Sequence, residues 1–237
     1  MRRDKNKISH HVRSFFLLTL IATATLLCLN GDAHAQGFDP KELFAFANNL
    51  KTLTNSDAYR DAVDARAREQ LTALPKPCPD AETKRLPSVN PYGLLKLDAD
   101  GKMIGGALGQ PYEVKGCGDL TQINVIVAGD PEKGMQTELY VPGVVTGNPK
   151  VILPVMAEVA KATLERTPEC HKRSIINTAL KGFDGDVVKD ANVKGARPFT
   201  QIWTVWACDK VLDVPVHYVP GPKGTDVRVT ADEVRDH

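Results

Sequence analysis

The sequence predicts an α+β fold made by tandem duplication: a unit of helix plus small antiparallel β-sheet occurs twice, with one disulfide per unit. Three observations predict it. The segment Tyr112-Glu-Val-Lys-Gly-Cys117 returns as Trp203-Thr-Val-Trp-Ala-Cys208, with aromatic, valine and cysteine at the same spacing. Cys78 precedes Cys117 by 39 residues, and Cys170 precedes Cys208 by 38. Apolar residues at helical spacing run ahead of each cysteine pair, and alternating patterns follow.

The chain opens on a leader. Arg2, Arg3, Lys5, Lys7 and Arg13 form a basic head, an apolar run extends from Phe15 to Leu29, and Ala33-His34-Ala35 sits just before Gln36. That order is the n-region, h-region and A-x-A site of a Sec-type signal peptide, and it places cleavage between Ala35 and Gln36. The apolar run is shorter than the ~20 residues that span a bilayer, and the mature chain offers no longer one. Arg2-Arg3 lies too far from the apolar run for a twin-arginine signal. Cys28 follows Leu26-Leu27, where a lipoprotein would place a small residue.

Residues 1–35 are thus a signal peptide, 36–56 an N-terminal helix, 57–147 the first α+β unit and 148–237 the second. In the N-terminal helix, Asp39-Pro40-Lys41-Glu42 supplies a cap, a proline at the first helical position and a glutamate at the third. Leu43, Phe46, Ala47, Leu50 and Leu53 then make an apolar stripe. A second helix begins at Ser56 or Asp57 and ends near Leu74, before Pro75. The second unit repeats the period at Val155, Met156, Val159, Ala160 and Leu164, with Pro149 and Pro154 as alternative starts and Arg166 as the end.

The strands come next. Leu94 to Leu97 and Lys102 to Ile104 flank the turn Asp98-Ala-Asp-Gly101. This turn lacks the further acidic positions of a calcium loop. Ile175 to Leu180 and Val187-Val188 bracket Asp184-Gly185-Asp186 in a similar way. Two-residue turns at Gly118-Asp119 and Asp209-Lys210 would pair Val114 with Ile123, Tyr112 with Val125, Val205 with Val214 and Trp203 with Val216. All eight then share one face of their strands. The opposite face carries Glu113, Lys115, Gln122 and Asn124 in the first unit, and Thr204, Trp206, Asp213 and His217 in the second.

Past the leader, 25 basic residues stand against 27 acidic ones, near net −2. Such a balance gives no electrostatic footing for nucleic acid or an anionic membrane. Four cysteines remain, and an exported chain with an even number of them forms disulfides. Four cysteines allow three pairings. A duplicated unit selects the same staple in each copy, Cys78 with Cys117 and Cys170 with Cys208.

The catalytic signatures are missing. There is no Gly-x-Ser-x-Gly elbow, phosphate loop, HExxH or dinucleotide fingerprint. Gly105, Gly106 and Gly109 read as strand-end or loop glycines. Of the three histidines left in the mature chain, His171 adjoins a disulfide cysteine, His217 is on an exterior strand face, and His237 ends the sequence and is expected to be mobile. No metal site, cofactor or catalytic residue is assigned.

Trp206 departs from the pattern. It stands on the polar face where the first unit has Lys115. Two readings compete: the Cys170 segment covers it, or it is a binding anchor. With His217 it forms the pair of ligand-contact candidates.

The second hairpin, Trp203-x-Val-x-x-Cys208 through Val214-x-Val-x-Tyr218-x-Pro220 to Gly224-Thr225, resembles a pattern in uncharacterised exported proteobacterial proteins. It covers about a tenth of the chain, and Asp209 replaces the glycine that pattern has after the cysteine. The resemblance implies export and a small β-rich unit, and no activity. The expected function is a non-catalytic binding or assembly protein of the periplasm or a secreted one, acting through its surface on an envelope protein or small molecule. The alternatives are a hydrolase with a carboxylate-lined cleft between the units, and a secreted inhibitor or host-directed factor.

Overall fold

The computed structural model describes residues 40–145, 149–191 and 193–237. The leader, Cys28 and the Ala35–Gln36 junction lie outside them, as does the Asp39 cap.

Helix α1 (Pro40–Asn55) and helix α2 (Asp57–Ala73) open the first unit. Ser56 caps α2, its hydroxyl oxygen accepting from the Tyr59 N–H at 3.2 Å. The helix stops where Leu74 becomes extended ahead of Pro75. Tyr59, Val63, Ala67 and Leu71 form its buried stripe. They pack on Leu108, Tyr112, Val114, Ile123, Val125 and Val127, which project from β5 (Ala107–Lys115) and β6 (Gln122–Asp130). Four strands lie in the order β1-β5-β6-β7, with β1 at Glu82–Arg85 and β7 at Gly134–Leu139. A short β2 (Asn90–Pro91) also pairs with β5. The predicted hairpin around Asp98 is present as β3 (Lys96–Leu97) and β4 (Met103–Gly105). Asp98 Oδ1 holds its turn by accepting from the N–H groups of Asp100 and Lys102.

The second unit follows the same plan. Helix α3 spans Pro149–Arg166 and keeps Pro154 inside it, so the earlier of the two possible starts is the real one. Its buried stripe includes Val155, Val159 and Thr163, each 92 positions after Val63, Ala67 and Leu71 of α2. The sheet order is β8-β9-β10-β11, formed by Arg173–Phe183, Phe199–Ala207, Lys210–Gly221 and Gly224–Val229. A 3-10 turn (Ala231–Glu233) leads to β12 (Arg235–Asp236), which pairs with β10. The disulfides are Cys78–Cys117 and Cys170–Cys208, with Cα atoms 5.7 and 5.8 Å apart.

Two strand expectations are corrected. Both central hairpins are slipped by two residues from the predicted register: Tyr112 faces Ile123, and Trp203 faces Val214. The predicted turn at Gly118-Asp119 is kept, with Leu120 N–H donating to Cys117 O. However, Gly116 and Cys117 are extra residues on the arm before it. In the second hairpin the turn is Cys208-Asp209, where Cys208 takes a positive φ of 57°. A slip of two conserves the facing of every side chain, whereas a slip of one would have inverted it. Tyr112, Val114, Ile123 and Val125 are accordingly buried, as are Trp203, Val205, Val214 and Val216. The second correction concerns β8. It does not fold back on Val187-Val188 but pairs along its whole length with β9. Residues 184–198 form the connection, closed by Asp184 N–H to Pro198 O and Val188 N–H to Ala196 O.

The segment 140–145 joins the units. Gly143 N–H donates to Gln122 O on β6, and Val144 N–H donates to Thr178 O on β8, so the segment runs between the two sheets. Buried polar side chains hold its carbonyls. Asn124 Nδ2 donates to Val141 O and Gly143 O, the single Thr178 hydroxyl proton is shared between Pro142 O and Val144 O, and Gln201 Nε2 donates to Val144 O. Gly143 has φ +92°, and a Cβ there would lie 2.2 Å from the Thr178 backbone nitrogen and oxygen. Only glycine fits that passage.

Candidate functional site

The outward face of the second sheet begins at its disulfide end. Trp206 on β9 is flanked by Ser174 on β8 and Val211 on β10. Further along the same face, Thr204 lies between Asn177 and Asp213, and its hydroxyl donates to Asp213 Oδ1 at 3.0 Å. Residue Ile176 is extra in the ladder between Ile175 and Asn177. Such a bulge turns neighbouring side chains away from their regular alternation, and here both Ile176 and Asn177 border the cavity described next.

The first unit overhangs this face. Its helix-to-strand loop (Leu74, Pro75, Lys76 and Cys78) and its hairpin tip (Cys117 to Leu120) form the opposite wall of a groove of about 390 Å³. Trp206, Val211 and Thr204 line the sheet side. Asn177 Nδ2 donates to Asp119 O at 3.2 Å and ties the walls together at one place.

Trp206 satisfies part of both readings. Lys172, two residues after Cys170, holds its ammonium 5.7 Å from the indole centroid, so the Cys170 segment does reach over the ring. The ring remains only partly buried, and it borders the groove.

His237 was expected to be mobile, and the structure corrects this. Pairing of β12 with β10 delivers it to the groove, and its N–H donates to Val211 O at 2.9 Å. Its Nδ1 lies 2.9 and 3.0 Å from the two Asp213 oxygens, and its Nε2 lies 3.5 Å from Asp119 Oδ2 on the other unit. The bond to Asp213 is the main cause that raises the imidazole above its ordinary pKa, with Asp119 adding to it. Sequence patterning gave no signal for this cluster, because its members come from a hairpin tip, a central strand and the last residue of the sequence.

His217 is elsewhere, among residues that do not line the groove. Its Nε2 is 2.5 Å from Glu233 Oε2 and its Nδ1 is 2.8 Å from Thr200 Oγ1. The Thr200 hydroxyl in turn donates to Asp184 Oδ2. The bond to His217 is the main cause that holds Glu233 below the usual carboxylate range. A hydroxyl, an imidazole and a carboxylate in series suggest an activated nucleophile. Thr200 is only 1% exposed, however, and its proton is committed to Asp184, so the chain of bonds cannot present the hydroxyl to a substrate. It fastens the base of the 184–198 connection to β10 and the 3-10 turn. His171 is exposed beside the second disulfide. Among the described residues, no three His, Cys, Asp or Glu side chains are grouped to hold a metal ion. No helix among them is long and apolar enough to cross a membrane.

Asp119 lines the groove and Asp213 lies behind it, and both contact His237. Compared with known proteins, the chain matches no family model, no curated protein and no solved structure.

Proposed function

We propose that this chain is an exported binding or assembly protein of the bacterial envelope, and that it holds its partner in the groove between its two units without catalysis. One observation carries the reading: Trp206 replaces a polar position of the first unit, Lys115, and borders the cavity that the first unit encloses. Half-buried tryptophans at the mouth of a cavity are the usual anchors of a binding surface.

Export and duplication belong to the same proposal. The basic head, apolar run and Ala-His-Ala site support Sec-dependent export with Gln36 as the first mature residue, and two disulfides suit an oxidising compartment. Duplication is supported by identical strand order and by hairpin registers that coincide at a constant separation, Tyr112 and Ile123 corresponding to Trp203 and Val214. The first unit kept its face polar while the second acquired Trp206.

The test uses the mature protein purified from the cells that carry it, as wild type and as Trp206→Lys. Mass spectrometry of co-purifying molecules should find a component in the wild type that the variant loses. Stability should change by no more than about 1 kcal/mol, as at a partly exposed site. An unchanged set of bound components in the variant would remove Trp206 as the anchor. An intact Met1, or a lipid on Cys28, would contradict the export route.

A further inference from the structure

Resting on the reading of the groove as the binding site, we propose that its ligand is a neutral saccharide of about two pyranose rings. The floor offers the partly open indole of Trp206 beside Val211, an apolar surface suited to the C–H face of a sugar ring. Around it stand a donor, the Lys76 ammonium, and an acceptor, the Asp119 carboxylate. Asn177 donates from Nδ2 to Asp119 O. Asp119 exposes 84% of its side chain and contacts His237 only at 3.5 Å. Vicinal sugar hydroxyls, each donor and acceptor at once, match such a rim.

Charge points the same way. Among the residues lining the groove, Lys76 stands against Asp119, and the charge of His237 is met by Asp213 behind it, so neither an anion nor a cation meets an excess of counter-charge. The volume of about 390 Å³ sits in the lower part of the ~300–1,000 Å³ range of small-ligand sites. An extended peptide added as a strand would need a free sheet edge. The floor here is the face of a sheet whose backbone is spent in the β8–β9–β10 ladder, and Thr178 on the β8 edge already accepts from Val144.

The chain has two tryptophans, and Trp203 is fully buried, so the indole N–H resonance of Trp206 reports on the groove. The mature protein is titrated with cellobiose, maltose, lactose and chitobiose, and separately with a mixture of small aromatic heterocycles and with a proline-rich decapeptide. At least one disaccharide should shift the Trp206 resonance saturably, with Kd between about 10 μM and 1 mM. Trp206→Ala should weaken that affinity at least about 10-fold, measured by calorimetry. Silence of all four disaccharides, or a response to the peptide alone, overturns the saccharide proposal. If the heterocycles still shift Trp206 in that case, the groove survives as a binding site with another ligand. If nothing shifts it, the saccharide and the groove reading fall together.

Discussion

At the scale of single residues, two tryptophans on one strand divide the work. Trp203 points into the second core and is fully buried, its indole N–H donating to Gln201 Oε1. Trp206, three positions on, lies on the outward face beneath Lys172. Trp203→Ala should cost about 3–5 kcal/mol, the usual penalty of emptying an aromatic core site, and Trp206→Lys no more than about 1 kcal/mol. Urea unfolding of the two variants compares them directly, and equal losses would refute this division. The alternation of strand side chains was enough to set Trp206 apart, because period two is read from sequence alone. The groove above it was not legible, since its far wall is built from residues 74–78 and 117–120, more than eighty positions away. Gly143 is a second decisive residue. Gly143→Ala should destabilise the protein by about 2–4 kcal/mol, because positive φ and the Thr178 backbone both oppose a Cβ. A change below about 0.5 kcal/mol would mean that the segment moves aside freely.

At the scale of elements, helices and disulfides were the most readable part. Ser56 announced α2 through its side-chain cap, and the paired cysteine spacings announced both staples. Register was less readable. Two-residue slips leave the hydrophobic pattern unchanged, so only the tips could fix it, and Gly116-Cys117 lengthen one tip while Cys208 reshapes the other. Strand β8 was mispaired because Val187-Val188 look like a partner, whereas the true partner, Phe199–Ala207, lies beyond a connection whose length no local pattern reveals. The staples also differ in consequence. Cys78→Ser with Cys117→Ser should cost about 2–5 kcal/mol, and so should the pair at Cys170 and Cys208. Only the first pair borders the groove, so its removal should also broaden the Trp206 indole resonance. A spectrum of that variant with Trp206 unchanged would show that the overhang stands without its disulfide.

At the scale of the whole molecule, the units are held by polar contacts, and pH should act on one of them. His237 sits between Asp213 of its own unit and Asp119 of the other, and these carboxylates raise its pKa in the fold. A folded pKa above the unfolded value, ~6.5, means that the contribution is fully present below about pH 6.5. It is lost as pH rises through the elevated folded value. Glu233 behaves in the opposite sense. Its folded pKa is depressed mainly by His217, so its contribution is present above the unfolded value of 4.5 and is lost as pH falls through the folded one. Both side chains are more than a third exposed, so each effect should stay within about 1 kcal/mol. Between these limits the midpoint of thermal unfolding should be flat. His237→Gln should flatten the decline on the alkaline side of the profile without touching the acid side, and Glu233→Gln should do the reverse. Because His237 also lines the groove, ligand affinity in the wild type should fall over the same alkaline range, and Asp119→Asn should reduce that fall. An affinity that stays constant while stability declines would separate the contact between the units from the groove it borders.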